Sequence, residues 1–231
     1  METILRDGLA ALGLGTEGVP ALLRFGALLA EKNKVMNLTA ITDEADVARL
    51  HFLDSAALLQ IFDFSEKSVV DVGTGAGFPG GPLRILVPSA RVTLLDSLGK
   101  RITFLQEVCD TLELRDVICV HSRAEEFAAD HREHFDAAVS RAVAALPVLA
   151  ELCLPLVRVG GTFLAMKSVD SGQELEGAAH ALDVLGGALR EVRDYTIPGT
   201  DVTHRAVLVE KRRPTPKNYP RPFSKIKKAP L

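Results

Sequence analysis

Cysteine, tryptophan and long apolar runs are scarce in this chain of 231 residues. It has no Trp, two Tyr and three Cys, namely Cys109, Cys119 and Cys153, with no C-x-x-C spacing. An odd number of separated cysteines argues against a disulfide framework or a zinc site and favours free thiols in a reducing compartment. No apolar run approaches the roughly 18 residues that span a bilayer, and Glu2, Arg6 and Asp7 interrupt any signal-peptide pattern. We therefore expect a cytoplasmic protein without a bound metal or a membrane partner.

Acidic residues are absent from the C-terminal tail. After Glu210 the chain carries eight basic residues and no acidic one, so residues 1–210 alone have a net charge of −11. A basic tail on an acidic body indicates a polyanionic partner, although a solvated terminus would look the same. Because five prolines interrupt this tail, we expect it to be extended or mobile until a partner binds it.

The glycine-rich stretch at residues 69–80 is the feature around which the chain is organised. Val69, Val70 and Val72 predict a short buried strand, and glycines follow at 73, 75, 77 and 80 before a helical pattern begins. A strand that leads into a glycine turn and a helix lets a ligand approach bare backbone at the carboxyl end of a sheet. Asp96 closes the next predicted strand, 23 positions after Gly73, where a carboxylate can accept hydrogen bonds from ribose hydroxyls. This pattern predicts a nucleoside-cofactor site.

Two cofactors compete for this site. Gly75, Gly77 and Gly80 match the dinucleotide pattern G-x-G-x-x-G, but Pro79 lies inside the match and the strand ends two residues too early. The other frame, Asp71-x-Gly73-x-Gly75-x-Gly77, is the S-adenosylmethionine pattern. Asp71 could face a cationic ligand there, whereas a dinucleotide pyrophosphate is anionic. We therefore favour S-adenosylmethionine over NAD, and a glycine turn without a ligand remains the third alternative.

Strands and helices alternate from residue 68 onward, which predicts an α/β protein with a mostly parallel, seven-stranded sheet. We predict a helical N-terminal extension at 1–62, a sheet core at 63–210 and a basic tail at 211–231. The predicted strands lie near 68–72, 91–95, 116–120, 135–140, 161–166, 193–197 and 204–210. The predicted helices of the core lie near 82–87, 98–114, 144–157 and 171–189.

Several polar groups outside the loop allow two interpretations each. His51, Asp54 and Ser55 share one helical face, which is more often a hydrogen-bonded exterior than a polar lip over the crevice. Phe78 is either a platform for a cofactor or base, or a core side chain. Glu125 either meets an adenine edge or stabilises the first turn of a helix. Lys100, Arg101 and Lys167 form a candidate positive rim for phosphates, although each alone would be an ordinary surface residue.

The atom that would accept the methyl group is inferred from motifs that the chain lacks. Methylation of an exocyclic amine usually needs a polar-Pro-Pro-aromatic clamp, and the corresponding residues here are Ser-Arg-Ala-Val at 140–143. Methylation of pyrimidine C5 needs a cysteine nucleophile, but Cys153 lies in an apolar helical run and is expected to be core. A ring nitrogen with a free lone pair, such as guanine N7, needs no general base. We therefore assign no catalytic side chain and expect catalysis by positioning.

The motifs together resemble the RsmG family, formerly GidB, which methylates guanine N7 in 16S ribosomal RNA of the bacterial small subunit. The resemblance is carried from about residue 33 to the end by seven motifs: Asn37-Leu-Thr-Ala-Ile-Thr, His51-x-Leu-Asp-Ser, Asp71-Val-Gly-Thr-Gly-Ala-Gly-Phe-Pro-Gly, Leu95-Asp-Ser-Leu-Gly-Lys-Arg, Arg123-Ala-Glu-Glu, Ser140-Arg-Ala-Val and Tyr219-Pro-Arg. It implies a class I, Rossmann-like methyltransferase fold that binds S-adenosylmethionine and has 16S ribosomal RNA or the small ribosomal subunit as its partner. We expect the protein to be a monomer.

The resemblance also implies roles for individual residues. It implies cofactor contacts at Gly73, Phe78, Ala124, Glu125 and Arg141, with Asp96 as the ribose partner. The glycine pattern adds Asp71, Gly75 and Gly77 to the expected cofactor site. The expected RNA contacts are Asn37, His51, Lys100, Arg101, Lys167 and Arg221. This chain departs from the family at Gly81, where a bulky aliphatic residue is usual, and in the tail, where the stretch Pro222-Phe-Ser-Lys-Ile-Lys lacks the glycine and proline that the family tends to carry there.

Overall fold

A seven-stranded sheet forms the centre of the protein in a computed structural model that describes residues 1–141 and 144–231. The strand order is β3-β2-β1-β4-β5-β7-β6. All neighbours are parallel except that β7 runs antiparallel to both β5 and β6. The strands are β1 Ser68–Val72, β2 Arg91–Asp96, β3 Val117–His121, β4 Phe135–Arg141, β5 Val157–Ser168, β6 Gly187–Thr196 and β7 Thr203–Lys211. The predicted α/β architecture with a mostly parallel, seven-stranded sheet is confirmed.

Helices cover both faces of the sheet. They are α1 Glu2–Ala11, α2 Val19–Met36, α3 Glu44–Val47, α4 Asp54–Ala57, α5 Gly80–Leu86, α6 Gly99–Thr111, α7 Ala124–Asp130, α8 Leu146–Cys153, α9 Gly172–Val184 and α10 Phe223–Lys228. A π-helical turn, Ala48–Leu53, joins α3 to α4, and short 3-10 turns lie at Leu58–Gln60 and Leu154–Leu156. The π-helical turn contains His51, and such turns occur often at functional sites.

Successive residues of β1 point to opposite faces of the sheet and so belong to two separate cores. Val69 packs with Leu22 and Phe25 of the N-terminal helices. Val70 and Val72 pack on the other face with residues of α7, α8 and α9. Burial on both faces explains the β-branched run that the sequence shows here. The first 62 residues thus complete one face of the sheet core, and the division of the chain at residues 62 and 210 stays a prediction.

The direction of strand addition reverses between β1 and β4. The chain builds β2 and β3 on one side of β1 and then crosses to β4 and β5 on the other side. Loops that leave β1 and β4 at their carboxyl ends diverge at such a point and open a crevice between them. The glycine loop after β1 and Arg141 at the end of β4 therefore meet at one place.

The helix predicted at 171–189 is shorter than expected, and the following strand begins earlier. The α9 helix ends at Val184, and β6 starts at Gly187 instead of near 193. The cause is Gly186, which adopts a left-handed conformation (φ 82°) and donates its N–H to the Asp183 carbonyl at 3.1 Å. A glycine in this conformation directly after a helix is a common termination signal.

The tail is folded onto the sheet core, so the expectation of an extended or mobile segment is wrong. Residues 223–228 form α10, and Ile226 is fully buried in the second core. Arg132 donates hydrogen bonds to the carbonyls of Thr215 and Tyr219 at 2.6 and 2.8 Å. The prolines prevent regular structure in most of the tail, but side-chain contacts from the core supply the order instead.

Among the helices of the described residues, none combines the length and apolar character that a bilayer span requires.

Candidate functional site

The glycine loop is shaped by backbone hydrogen bonds and by the Asp71 carboxylate. Gly73, Gly75 and Gly77 have φ values of 72°, 61° and 101°, which side chains with a Cβ rarely adopt. Asp71 is fully buried beneath the loop, where its Oδ2 accepts hydrogen bonds from the Thr74 hydroxyl at 2.7 Å and the Gly80 N–H at 2.8 Å. Asp71 therefore holds the loop from below, and burial raises the pKa of its carboxyl group to about 6.

Asp96 closes β2 opposite the loop. Its Oδ1 accepts a hydrogen bond from the Leu98 N–H, and its Oδ2 accepts from the Gly75 N–H, both at 2.9 Å. The Arg101 guanidinium also reaches Oδ2, at 3.2 Å. Asp96 thus ties β2 to the glycine loop, and any ribose hydroxyl that binds this carboxylate would share it with Arg101.

These elements enclose a crevice of about 410 Å³ at the reversal point of the sheet. The crevice is lined by predicted site residues from four parts of the chain: Gly73, Gly75, Phe78, Asp96, Arg101, Arg141 and His51, with Thr39, Thr74 and Ser97 beside them. Two further predicted cofactor residues do not line the crevice but support the loop from the side of the core. Asp71 lies beneath the loop, and a side chain on Gly77 would meet Phe25 and Leu105 in the core.

Phe78 serves as both a core residue and a wall of the crevice. Its side chain is 3% exposed and lies between two rings, with centroids 5.4 Å from Phe25 and 4.4 Å from His51, both nearly parallel to it. The Arg141 guanidinium lies over the same ring, 5.3 Å from its centroid. Of the two interpretations of Phe78, the structure confirms the core side chain, and the role as a platform for a cofactor or base stays a prediction.

The helical face of His51, Asp54 and Ser55 is buried, so its interpretation as a helix exterior is wrong. Asp54 and Ser55 are fully buried and His51 is 7% exposed. The face packs against the end of β4, where Arg141 donates to the Leu50 carbonyl at 2.9 Å and to Asp54 Oδ2 at 3.0 Å. Spacing alone favoured the exterior because the contact partner lies 87 positions away from Asp54.

The neighbours of His51 determine its protonation state. Arg141 Nη2 lies 3.0 Å from His51 Nδ1, and because a guanidinium can only donate, Nδ1 must be the acceptor. The ring proton is then on Nε2, which donates to the Thr39 hydroxyl at 2.8 Å. Burial, followed by the Arg141 charge, lowers the pKa of His51 to about 4. His51 is therefore a neutral ring near pH 7.

Asp54 connects Arg141 to β6 and β7. Its Oδ1 accepts hydrogen bonds from the Tyr195 hydroxyl at 2.9 Å and from His204 Nδ1 at 2.8 Å. The hydrogen bond to Asp54 raises the pKa of His204. Thr39, Tyr195 and His204 were not predicted as site residues, although Thr39 lies within the Asn37-Leu-Thr-Ala-Ile-Thr motif. No local pattern marks Tyr195 and His204, because their partner Asp54 lies 141 and 150 positions away.

The other predicted residues lie at varying distances from the crevice. Ala124 and Glu125 begin α7, where Glu125 lies 3.5 Å from Arg123, so the helix-first-turn interpretation describes its position. Lys100 is exposed and approaches the Met36 carbonyl at 3.4 Å, next to the exposed Asn37 at the end of α2. Lys167 pairs with Glu174 at 2.7 Å beside a second cavity.

Arg221 is not brought to the crevice. Its guanidinium binds Glu151, a fully buried carboxylate of α8, and its backbone N–H donates to the same side chain at 2.8 Å. The Ala142–Val143 part of the Ser140-Arg-Ala-Val motif lies outside the described residues. Within residues 1–141 and 144–231, no cluster of three potential metal-ligating side chains occurs.

Comparisons with known proteins agree with this geometry. The family profile described as rRNA small subunit methyltransferase G matches residues 19–199. The ribosomal RNA small subunit methyltransferase G of Alkaliphilus metalliredigens is 46% identical, over all of this chain and 98% of that protein. The protein of the same name from Exiguobacterium sibiricum is 49% identical, over 90% of this chain and 89% of that protein.

Solved structures match the fold at low sequence identity. A branched-chain polyamine synthase from Thermus thermophilus superimposes with a TM-score of 0.64 over 87% of this chain and 66% of that protein, at 16% identity. The fold is the class I, Rossmann-like methyltransferase fold. With the profile and the full-length relatives in agreement, the chain belongs to the family of rRNA small subunit methyltransferase G.

Proposed function

We propose that this protein transfers the methyl group of S-adenosylmethionine to N7 of a guanine in 16S ribosomal RNA, by positioning and without a general base. The methyl donor, the ribosomal RNA substrate and the N7 target follow from membership of the family. The convergence of the glycine loop, Asp96 and Phe78 on one crevice at the sheet reversal carries the proposal for this chain.

The crevice residues fit a nucleoside with a sulfonium group. Asp96 is a carboxylate at the end of the second strand and accepts hydrogen bonds at the crevice wall, as a ribose partner must. Gly73 and Gly75 leave the loop backbone bare on the side that a ligand would approach. We propose that these residues hold the cofactor together with Phe78 and Arg141, while Asp71 and Gly77 support the loop. The cofactor supplies an electrophilic methyl group.

A general base is unnecessary for the proposed step. The N7 lone pair forms the new N–C bond while the S–C electron pair returns to sulfur, so no proton leaves and the positive charge moves to the purine. The His51 ring supports this proposal because its Nδ1 lone pair is occupied by Arg141 and its Nε2 carries a proton. A neutral ring without a free lone pair cannot accept a proton from the substrate.

Basic side chains around the crevice are the proposed RNA contacts. Lys100 and Asn37 are exposed on the rim, and we retain both with Arg101 as candidates for contacts to the RNA backbone. His51 and Lys167 line the second cavity, and we retain them as candidates for contacts to the target nucleotide. Lys225, Lys227 and Lys228 are exposed on α10, and we propose that they form a second basic surface for RNA. Arg221 acts indirectly in this proposal, because its pairing with Glu151 anchors the tail that presents these lysines.

The experiment is tritium transfer from labelled S-adenosylmethionine to small-subunit particles that lack the modification, with naked 16S RNA in parallel. We expect label in 7-methylguanine. Label on another atom would refute the N7 assignment, and absence of label on both substrates would refute the ribosomal function. Because the substrate is ribosomal, we also propose that the protein works in the cytoplasm. We propose in addition that it is a monomer, and light scattering after gel filtration can test this oligomeric state.

A further inference from the structure

A second cavity of about 600 Å³ lies next to the crevice. The two share His51 and Arg141 as lining residues, so they adjoin at this pair of side chains. A methyl group can only be transferred to an acceptor that reaches the donor along a line through the sulfonium carbon. A cavity that adjoins the crevice at His51 and Arg141 is therefore placed for the acceptor.

The lining of the second cavity suits a planar heterocycle. Leu50 and Met166 contribute apolar surface that can contact a ring face. Lys167, Glu174 and His204 contribute charged or polar groups. Apolar walls with a few placed polar groups are the usual composition of a ligand pocket. The combination fits a base that is extruded from RNA and recognised at one edge.

Glu174 and Lys167 lie side by side at one edge of this cavity, where they provide a hydrogen-bond acceptor and a donor. Glu174 lies in the first turn of α9, where its Oε2 accepts a hydrogen bond from the Leu146 N–H at 3.1 Å and forms an ion pair with Lys167 Nζ at 2.7 Å. Within the described part of the chain, its other oxygen, Oε1, forms no hydrogen bond. A carboxylate that keeps one free oxygen beside a cavity can accept further N–H groups, and the adjacent ammonium can donate to a carbonyl.

We propose that the second cavity receives the target guanine and that Glu174 selects it by accepting N1–H and N2–H, with Lys167 donating to O6. This assignment rests on the proposed methyl transfer to guanine. Along its Watson–Crick edge guanine presents the O6 acceptor and then the N1–H and N2–H donors. This order matches the Lys167 ammonium followed by the Glu174 carboxylate. Adenine presents an unprotonated N1 at the position of the guanine N1–H, so it would face the carboxylate with a lone pair. Recognition at this edge leaves N7 free to react.

Nucleotide binding tests the base preference directly. The binding of GMP, IMP and AMP to the protein saturated with S-adenosylhomocysteine would be measured by NMR titration. We expect the wild type to bind GMP about tenfold more tightly than AMP, with IMP between them because it lacks the N2 amine. Glu174→Gln should reduce the GMP preference over AMP to about twofold or less, since a carboxamide accepts one N–H less favourably than a carboxylate. Glu176→Gln, on the exposed side of the same helix, is the matched control and should retain the preference.

Methyl transfer to unmodified particles provides the second measurement. We expect Glu174→Gln to lower kcat/KM about tenfold while the affinity for S-adenosylmethionine stays unchanged, which also reports that the variant is folded. If the wild type transfers methyl groups and Glu174→Gln matches it in rate and nucleotide preference, the role of Glu174 is overturned and the proposed function stands. Equal binding of GMP and AMP by the wild type would overturn the guanine assignment of the cavity. A wild type that transfers no methyl group would overturn the proposed function, and this inference with it.

Discussion

His51 illustrates how one side chain can link cofactor loop, N-terminal helices and sheet. Its ring stacks on Phe78, accepts a hydrogen bond from Arg141 and donates one to Thr39. The contact with Arg141 requires the neutral ring, because protonation of Nδ1 would place a proton against the Arg141 guanidinium. Protonation of His51 would therefore break its contact with the end of β4.

Acidification should weaken the fold through His51. The pKa of this side chain is about 4 in the folded protein, against 6.5 for an unperturbed histidine. Between these values the unfolded chain binds the proton and the folded protein does not, so stability falls as the pH drops from 6.5 to 4. The unfolding free energy of the wild type minus that of His51→Gln should decrease by roughly 3 kcal/mol as the pH falls from 6.5 to 4.

Urea denaturation at a series of pH values measures this difference. Asp71, whose raised pKa has the opposite effect, is common to both proteins and cancels in the subtraction. A difference that stays constant with pH would show that the folded protein accommodates a charged His51.

At the scale of elements, the glycine loop is held from two sides. Asp71 fixes it from the strand that precedes it, and Asp96 fixes it from the neighbouring strand. Both carboxylates accept backbone N–H groups of the loop, so β1, β2 and the start of α5 form one rigid unit. The loop needs this support because its left-handed glycines have no side chains with which to pack.

Gly77→Ala should destabilise the loop, whereas Gly177→Ala should stabilise the protein. A Cβ at Gly77 would lie 2.7 Å from a Leu105 methyl carbon and 2.9 Å from the Phe25 ring, in a backbone conformation with φ 101°. We expect a loss of about 1–3 kcal/mol and weaker cofactor binding. Gly177 is exposed within α9 with open space around its Cβ position, so alanine there should add about 0.5–1 kcal/mol.

Thermal unfolding and calorimetric titration with S-adenosylmethionine distinguish the two substitutions. Unchanged cofactor affinity in Gly77→Ala would mean that the loop rearranges to accept a side chain.

At the scale of the whole molecule, the tail completes the core while its outer surface stays basic. Arg221 neutralises the buried Glu151, and Ile226 fills the apolar core between α8 and the tail. Lys211, also fully buried, donates to the carbonyls of Leu154 and Val157. The tail therefore cannot be removed without exposing or unpairing groups of the core.

Arg221→Met should destabilise the protein by about 3 kcal/mol or more, because it leaves the Glu151 carboxylate buried without its cation. Adding Glu151→Gln should recover much of this loss, since the amide oxygen can still accept the Arg221 backbone N–H. Urea denaturation of the wild type, both single variants and the double variant measures the coupling. Additive effects of the two substitutions would contradict this account.

Replacing Lys225, Lys227 and Lys228 together by Gln should weaken RNA binding without affecting the fold. These side chains are exposed on α10 and form no ion pair among the residues that the structure describes. If all three contact phosphates, the slope of log K against log salt should decrease in magnitude by about 2 to 3. Filter binding of 16S RNA at several salt concentrations measures the slope. An unchanged slope would place the RNA elsewhere on the protein.

The sequence by itself determined the local architecture. The strand positions other than the start of β6, the glycine loop, the acid at the end of β2 and the buried Cys153 were predictable because each depends on nearby residues, on periodicity or on turn chemistry. The motifs also identified the family, since their order and spacing are specific. Gly186 carried a local helix-termination signal too, although it was not recognised in the prediction of α9.

Only the tertiary structure decided which side chains meet. Asp54 binds Arg141 and His204 across 87 and 150 positions of the chain, and Arg221 binds Glu151 across 70. Sequence periodicity does not predict such pairs, because it describes only neighbouring residues. Each of these residues taken alone resembles an ordinary polar surface group. The burial of the His51 face, the anchoring of the tail and the cavity beside the crevice all arise from these long-range contacts, which form when the sheet brings distant strand ends together.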